Sequence, residues 1–250
     1  MKKRSGFCSS LVMIFGVSTF VVLAGFASVL YVFPAMTYTR LPPSEQPNMI
    51  QNGGFEDGMA SWTTGHDGTP ILEVSTEHVH NGRCALKIAA SMQDAAFVYQ
   101  FVNFSSSSYV FEFWMYRTSE DSEGYVQLVQ KHPWVDGAGW APIASDFSAS
   151  SKGSSVTAWH TIDDWQPPQT RLELSYIMSP NIWHKVRFVA DGASENQNLY
   201  IDEAPITTIT SNSGSTFNPE AVIIGDVSTT TFYGTFYFDD FSLTRNNLLG

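Results

Sequence analysis

From Asn48 onward no stretch of the chain keeps a 3.6-residue apolar period. Short runs instead alternate apolar and polar residues at period two and break at Gly, Asn, Ser and Asp. The clearest run is residues 109–116. Tyr109, Phe111, Phe113 and Met115 fall on one face of it, and Val110, Glu112, Trp114 and Tyr116 on the other. The first set reads as the core face. Further strands are predicted at 85–89, 96–102, 125–130, 156–162, 171–177, 185–190, 199–201, 221–224 and 235–243. Many short strands with no convincing helix mean an all-β antiparallel sandwich. Asp191-Gly192-Ala193-Ser194-Glu195-Asn196 supplies turn formers for a hairpin. Residues 130–155 carry few strand signals but hold Trp134, Gly137, Gly139, Trp140 and Pro142. They read as one long loop, of the kind that in compact domains carries function.

The N-terminus has a different composition. Residues 1–4 are basic, and residues 11–35 then run without a charge, long enough to cross a bilayer. Positive charge before the run and none just after it orients the body outside the cytoplasm. Ala24-Gly25-Phe26-Ala27 offers a cleavage site, but the run continues through Val29, Leu30, Tyr31, Val32 and Phe33. The expectation is an uncleaved signal-anchor helix, with a cleaved signal peptide and a secreted body as the rival. The layout is then residues 1–36 as basic tip plus anchor, 37–47 as a Pro-rich linker and 48–247 as the sandwich.

Charge narrows the partners. The formal net charge is −11, and the first 40 residues hold Lys2, Lys3, Arg4 and Arg40 but no acid, so the body is more acidic still. An acidic body argues against nucleic acid and anionic lipid as partners. Of the two cysteines, Cys8 precedes the apolar run and Cys84 lies in the body, so a membrane would separate them. Cys84 is expected to be a buried small hydrophobe, and no cysteine–histidine cluster suggests zinc.

Three motifs carry a family resemblance. Asn52-Gly53-Gly54-Phe55-Glu56-Asp57-Gly58 with Trp62, then His80-Asn81-Gly82-Arg83-Cys84-Ala85-Leu86-Lys87-Ile88, then the closing Phe236-Tyr237-Phe238-Asp239-Asp240-Phe241-Ser242-Leu243, resemble jelly-roll carbohydrate-binding modules. The middle, Trp183-His184-Lys185-Val186-Arg187-Phe188 and Asn198-Leu199-Tyr200-Ile201-Asp202-Glu203, is similar to the concanavalin-A-like and laminin-G-like lectin sandwiches. There a Gly is usual where this chain has Glu203, so that turn is expected to differ. The resemblance implies a jelly-roll sandwich. It also implies a structural calcium ion held by Glu56 with Asp239 or Asp240, a hard cation clipping the two ends of the domain.

The residues themselves suggest where sugar would bind. Sugars stack apolar C–H faces on aromatic rings while carboxylates and amides hold the hydroxyls. Trp134, Trp140 and Trp165 lie in polar loop sequence beside Asp136, Asp163 and Asp164 and form the candidate platform. Trp62, Trp114 and Trp183 are assigned to core or motif packing. Glycoside hydrolysis of the laminarinase type needs a Glu–x–Asp–x–x–Glu strand with its carboxyl groups in range of each other, and none is present. Arg171-Leu172-Glu173-Leu174 faintly echoes alginate lyases without their other motifs. The reading is therefore a membrane-tethered, extracytoplasmic glycan-binding module without catalysis. The rivals are a cell-surface adhesion or assembly subunit with protein partners and, further off, a glycoside hydrolase or polysaccharide lyase.

Overall fold

The computed structural model describes residues 46–129, 144–149, 156–161, 170–174, 176, 178–192, 196–210, 218–226 and 233–246. Residues Gln46–Gly250 form one compact unit and Met1–Glu45 another. The anchor helix and linker lie outside the described residues, as do parts of the sandwich connections.

Fourteen strands are described. They are β1 (Thr63–Asp67), β2 (Ile71–Ser75), β3 (Ala85–Ala90), β4 (Ala95–Phe101), β5 (Tyr109–Arg117), β6 (Gly124–Val129) and β7 (Ala144–Ala149), followed by β8 (Val156–Thr161), β9 (Thr170–Leu174), β10 (Trp183–Asp191), β11 (Asn196–Ile201), β12 (Ala204–Thr210), β13 (Ala221–Asp226) and β14 (Gly234–Arg245). Sheet A has the order β1-β4-β13-β6-β7-β8-β9 and sheet B the order β12-β11-β10-β5-β14-β3-β2. Every strand pairing among the described residues is antiparallel. The all-β sandwich is as expected. The long loop over residues 130–155 is corrected, because β7 pairs with both β6 and β8 inside it.

The inner faces follow the alternation. Phe111, Phe113 and Met115 of β5 are buried with Val186 and Phe188 of β10 and Phe236, Phe238, Phe241 and Leu243 of β14. Val98, Val126, Leu128, Val222 and Ile224 of sheet A belong to the same cluster. Each fully buried side chain of this size contributes roughly 1.5–3 kcal/mol. Gln100 is the polar intruder on β4, and it is satisfied. Its Oε1 accepts from the Gln51 backbone N–H, while Nε2 donates to the carbonyls of Gln51 and Ser61.

The opening motif has a physical cause. The register of β14 shifts between Asp239 and Ser242, and Asp240 sits at φ 52°. That bulge turns Phe241 inward, where it meets Phe55 and Trp62 edge-on. The Phe241 N–H donates to the Gly53 carbonyl at 3.0 Å. A Cβ on Gly53 would run into the Phe241 carbonyl oxygen and lie 3.2 Å from its Cα, so the two backbones close up only because residue 53 has no side chain. We expect Gly53→Ala to cost about 1–3 kcal/mol in a urea titration. A loss below a few tenths would show that the approach is not tight.

The β11–β12 turn forms without the usual glycine. Asp202 and Glu203 take φ 50° and 66°, the left-handed pair that a two-residue hairpin needs. Asp202 is anchored there, accepting from the Lys185 backbone N–H and the Tyr176 hydroxyl and lying 2.7 Å from His184 Nδ1. Glu203 pairs with Lys185 and Arg187 but is well exposed. Left-handed strain at a non-glycine residue exceeds what exposed ion pairs return, so Glu203→Gly should raise stability by about 0.5–1 kcal/mol. The check is a melting curve; an unchanged or lowered melting temperature would mean the ion pairs matter more than the turn.

Candidate functional site

Two regions bear on function. The first gathers the acids expected to hold calcium. Residues 76–84 connect β2 to β3 as a strap over the outer face of sheet B. Asp239 is fully buried beneath it, and its Oδ2 accepts from the backbone N–H groups of His80 (3.0 Å) and Asn81 (3.2 Å). Its Oδ1 accepts from the Asp240 N–H at 2.8 Å. Asp240 Oδ2 meets His80 Nδ1 at 2.6 Å, and His80 lies flat on Trp114 with ring centroids 3.7 Å apart. His78 stacks likewise on Tyr116 at 4.3 Å. Glu56 Oε1 accepts from the backbone N–H groups of Arg83 and Cys84, which hold its carboxyl below the usual carboxylate range. Burial, reinforced by the charge of Asp240, pushes the Asp239 carboxyl up to about 6.

The three acids converge on Gly54. Asp239 Oδ1 and Asp240 Oδ1 each lie 3.6 Å from the point a Cβ there would occupy, and Glu56 Cγ lies 3.9 Å from it. The donor set favours a cation only in part. Glu56 is spent on the strap backbone, and among the described residues no group of three His, Cys, Asp or Glu side chains is arranged to hold a metal ion. Only the Asp239–Asp240 pair presents oxygens to a shared point. Cys84, expected to be buried, is half-buried and free, with its N–H on Glu56.

The second region is the outer face of sheet A. Phe97, Tyr99 and Phe101 alternate outward along β4. Burial falls along the ladder, from Phe97 through half-buried Tyr99 to Phe101, which is 50% exposed. The rings stand 6.3 Å and 5.4 Å apart. Phe97 packs on Gly65 of the edge strand, its cross-strand partner, and with Val129, Ala221, Ile223 and Tyr99 it forms an apolar cluster separate from the core. Antiparallel register aligns residues that share a face. Across sheet A one such line runs Thr63, Tyr99, Ile223, Gln127, Asp146, Trp159, Arg171. Gln127 thus shares the face of the aromatic ladder, and Asp146, Trp159 and Arg171 hold the matching register positions on β7, β8 and β9.

Trp134, Asp136, Trp140 and Trp165 lie outside the described residues, as do Asp163 and Asp164. The strands that flank them are described. Val129 and Ala144 are register partners, Ala144 pairs with Thr161, and Val129 aligns through Ala221 with Phe101. β6 and β8 therefore end, and β7 begins, at the end of sheet A where Phe101 lies. Trp62 packs in the core as expected. Trp114 and Trp183 are half-buried on the outer face of sheet B and belong to neither apolar cluster, and it is the motif residue His80 that both rings contact. Sequence reasoning missed Tyr99, Phe101, Gln127 and Trp159. The alternation over 96–102 marked a strand but could not say which apolar face was outside, because Ala96 and Val98 are apolar too.

Residues 47–170, just under half of the chain, match the family model described as a carbohydrate binding domain. The match ends at the start of β9, whereas the sandwich continues through β14. Among solved structures, the cellulose induced protein Cip1 superposes with a TM-score of 0.51 at 12% identity, covering 77% of this chain and 96% of that one. The receptor binding domain of botulinum neurotoxin D gives 0.51 at 10% identity, covering 74% and 45%. The carbohydrate binding module CBM66 from Bacillus subtilis gives 0.48 at 11% identity, covering 74% and 95%. At such identities the first two establish a shared fold and nothing more. No curated protein matches the sequence.

Proposed function

We propose that this chain, which matches a carbohydrate binding domain over residues 47–170, binds polysaccharide on the outer face of sheet A and does no covalent chemistry. The observation that carries the reading is the Phe97–Tyr99–Phe101 ladder, opening to solvent at Phe101, with Tyr99 aligned through Ile223 with Gln127 and then with the register positions of Asp146, Trp159 and Arg171. Exposed aromatic rings accept the apolar faces of sugars, and the Gln127 amide offers a partner for hydroxyls. Trp134, Asp136, Trp140 and Trp165, the platform expected from the sequence, lie outside the described residues, in the connections β6–β7 and β8–β9. Several described acids are already committed: Glu56 and Asp239 cap the strap, Glu73 and Glu77 share Lys87, and Glu112 and Glu203 share Lys185.

The test is a polysaccharide array probed with the full-length chain and with Tyr99→Ala/Phe101→Ala. Binding that the double variant weakens at least tenfold supports the reading, and an array on which the wild type binds nothing, or on which the double variant binds as the wild type does, removes it. Two further parts rest on the sequence. The uncharged run over residues 11–35 would tether the module to a membrane with the body outside the cytoplasm. A calcium ion would be held by Asp239 and Asp240 with backbone oxygens, without Glu56, and would supply rigidity rather than chemistry.

A further inference from the structure

We infer that the outer face of sheet B bears a second sugar site, centred on Trp183 and Lys185 and suited to a neutral hexose unit. It extends the glycan reading of sheet A and rests on it. Trp183 opens β10 and is half-buried on the outside of the sheet, next to Ile182, which is 50% exposed. Core packing does not account for it, since it belongs to neither apolar cluster. Its ring contacts are with Tyr116 at 5.6 Å and, edge-on, with His80 at 5.7 Å. The strap places the flat of His80 on Trp114 and so takes up that indole. Trp183 meets His80 only edge-on.

The polar groups beside it define the ligand. Lys185 Nζ lies 3.0 Å from Glu112 Oε1 and 3.1 Å from Glu203 Oε1. Arg187 Nε lies 3.2 Å from the same Glu112 oxygen, and its Nη2 also pairs with Glu203. Two bases and two acids interleave on β5, β10 and the β11–β12 turn and cancel one another, with the Asp202 carboxylate beside them on the turn, so the patch carries no net positive charge on a body that is strongly acidic. Partly exposed ion pairs of this kind contribute little in water. They can exchange partners with hydroxyls, donors from the bases and acceptors from the acids, at little cost. Without net positive charge the patch exerts no pull on a uronate or sulfated sugar, and the acidic body repels one. An indole with alternating donors and acceptors and no net positive charge matches a neutral pyranose. The two sites lie on opposite faces of the sandwich, so one molecule would engage two chain segments and gain avidity on a polysaccharide surface.

Calorimetry on the full-length chain with neutral glucan, xylan and mannan hexasaccharides tests this, with polygalacturonate as the anionic comparison. Two neutral oligosaccharides should bind per chain, falling to one in Trp183→Ala and to one in Tyr99→Ala/Phe101→Ala. Glu112→Gln/Lys185→Gln, which keeps the shape of the patch, should weaken the remaining site of the latter variant at least tenfold. One ligand per chain, lost in Tyr99→Ala/Phe101→Ala and untouched by Trp183→Ala, overturns the second site and leaves the sheet A reading standing. No binding by the wild type overturns both. Polygalacturonate binding at the Trp183 site as tightly as the neutral sugars overturns the ligand class.

Discussion

Asp239→Ala should destabilise the domain by about 3–5 kcal/mol, because it strips the acceptor from three backbone N–H groups at once. Those groups belong to His80, Asn81 and Asp240, and with them go the footing of the strap and the stack of His80 on Trp114. Asp239→Asn keeps one acceptor and should lose less. Urea titration measures both, and a loss under 1 kcal/mol for the alanine variant would mean that the strap holds itself. The same carboxyl gives a pH signature. Its folded pKa, about 6, is above the value of 3.8 for a free side chain, so the folded state binds the extra proton between those values. Stability of the chelator-treated protein therefore rises as pH falls from 7.5 to 5, a trend absent from Asp239→Asn. Glu56, Glu77 and Asp94 have lowered pKa values and act in the opposite sense, but only below their ordinary range near pH 4. A calcium ion on Asp239 and Asp240 would favour the carboxylate and flatten or reverse the trend. Calcium should then raise the melting temperature most at pH 7.5 and least at pH 5. No response at either pH would leave the strap held by hydrogen bonds alone.

The same residues show how far a sequence carries. The closing motif was recognisable, but its two aspartates read as ion ligands. The structure gives Asp239 a prior task as a backbone acceptor, visible only once the bulge brings β14 under the strap. The alternation of β5 identified its core face correctly, and that already put Trp114 on the other side. The packing expected of it is supplied by His80 of the strap and not by the core. Three of the four strands missing from the sequence reading, β1, β2 and β12, are edge strands. An edge strand is covered less and so needs less contrast between its faces, as Thr63-Thr64-Gly65-His66-Asp67 illustrates. The fourth, β7, lies inside sheet A with the sequence Ala-Ser-Asp-Phe-Ser-Ala, too small and polar to register as a strand. Its absence from the reading hid the row that joins Gln127 to Trp159.

That row sets the last expectation. From β4 to β8 the line crosses four strand spacings, about 19 Å, long enough for a run of several sugar rings and not for a terminal sugar alone. Affinity should climb steeply from disaccharide to tetrasaccharide and level off beyond the width of the row. Tyr99→Ala should weaken hexasaccharide binding about 10–30-fold, as aromatic anchors at binding surfaces do. Adding Trp159→Ala, several strands away and independent of it, should multiply that loss to beyond about 100-fold. Tyr99 is half-buried outside the main core, so its removal should leave the melting curve nearly unchanged and keep the loss attributable to binding. The competing outcome is equally readable. Should Trp134→Ala/Trp140→Ala abolish binding while Tyr99→Ala and Trp159→Ala leave it intact, the β6–β7 connection alone is the binding element and the sheet is its support.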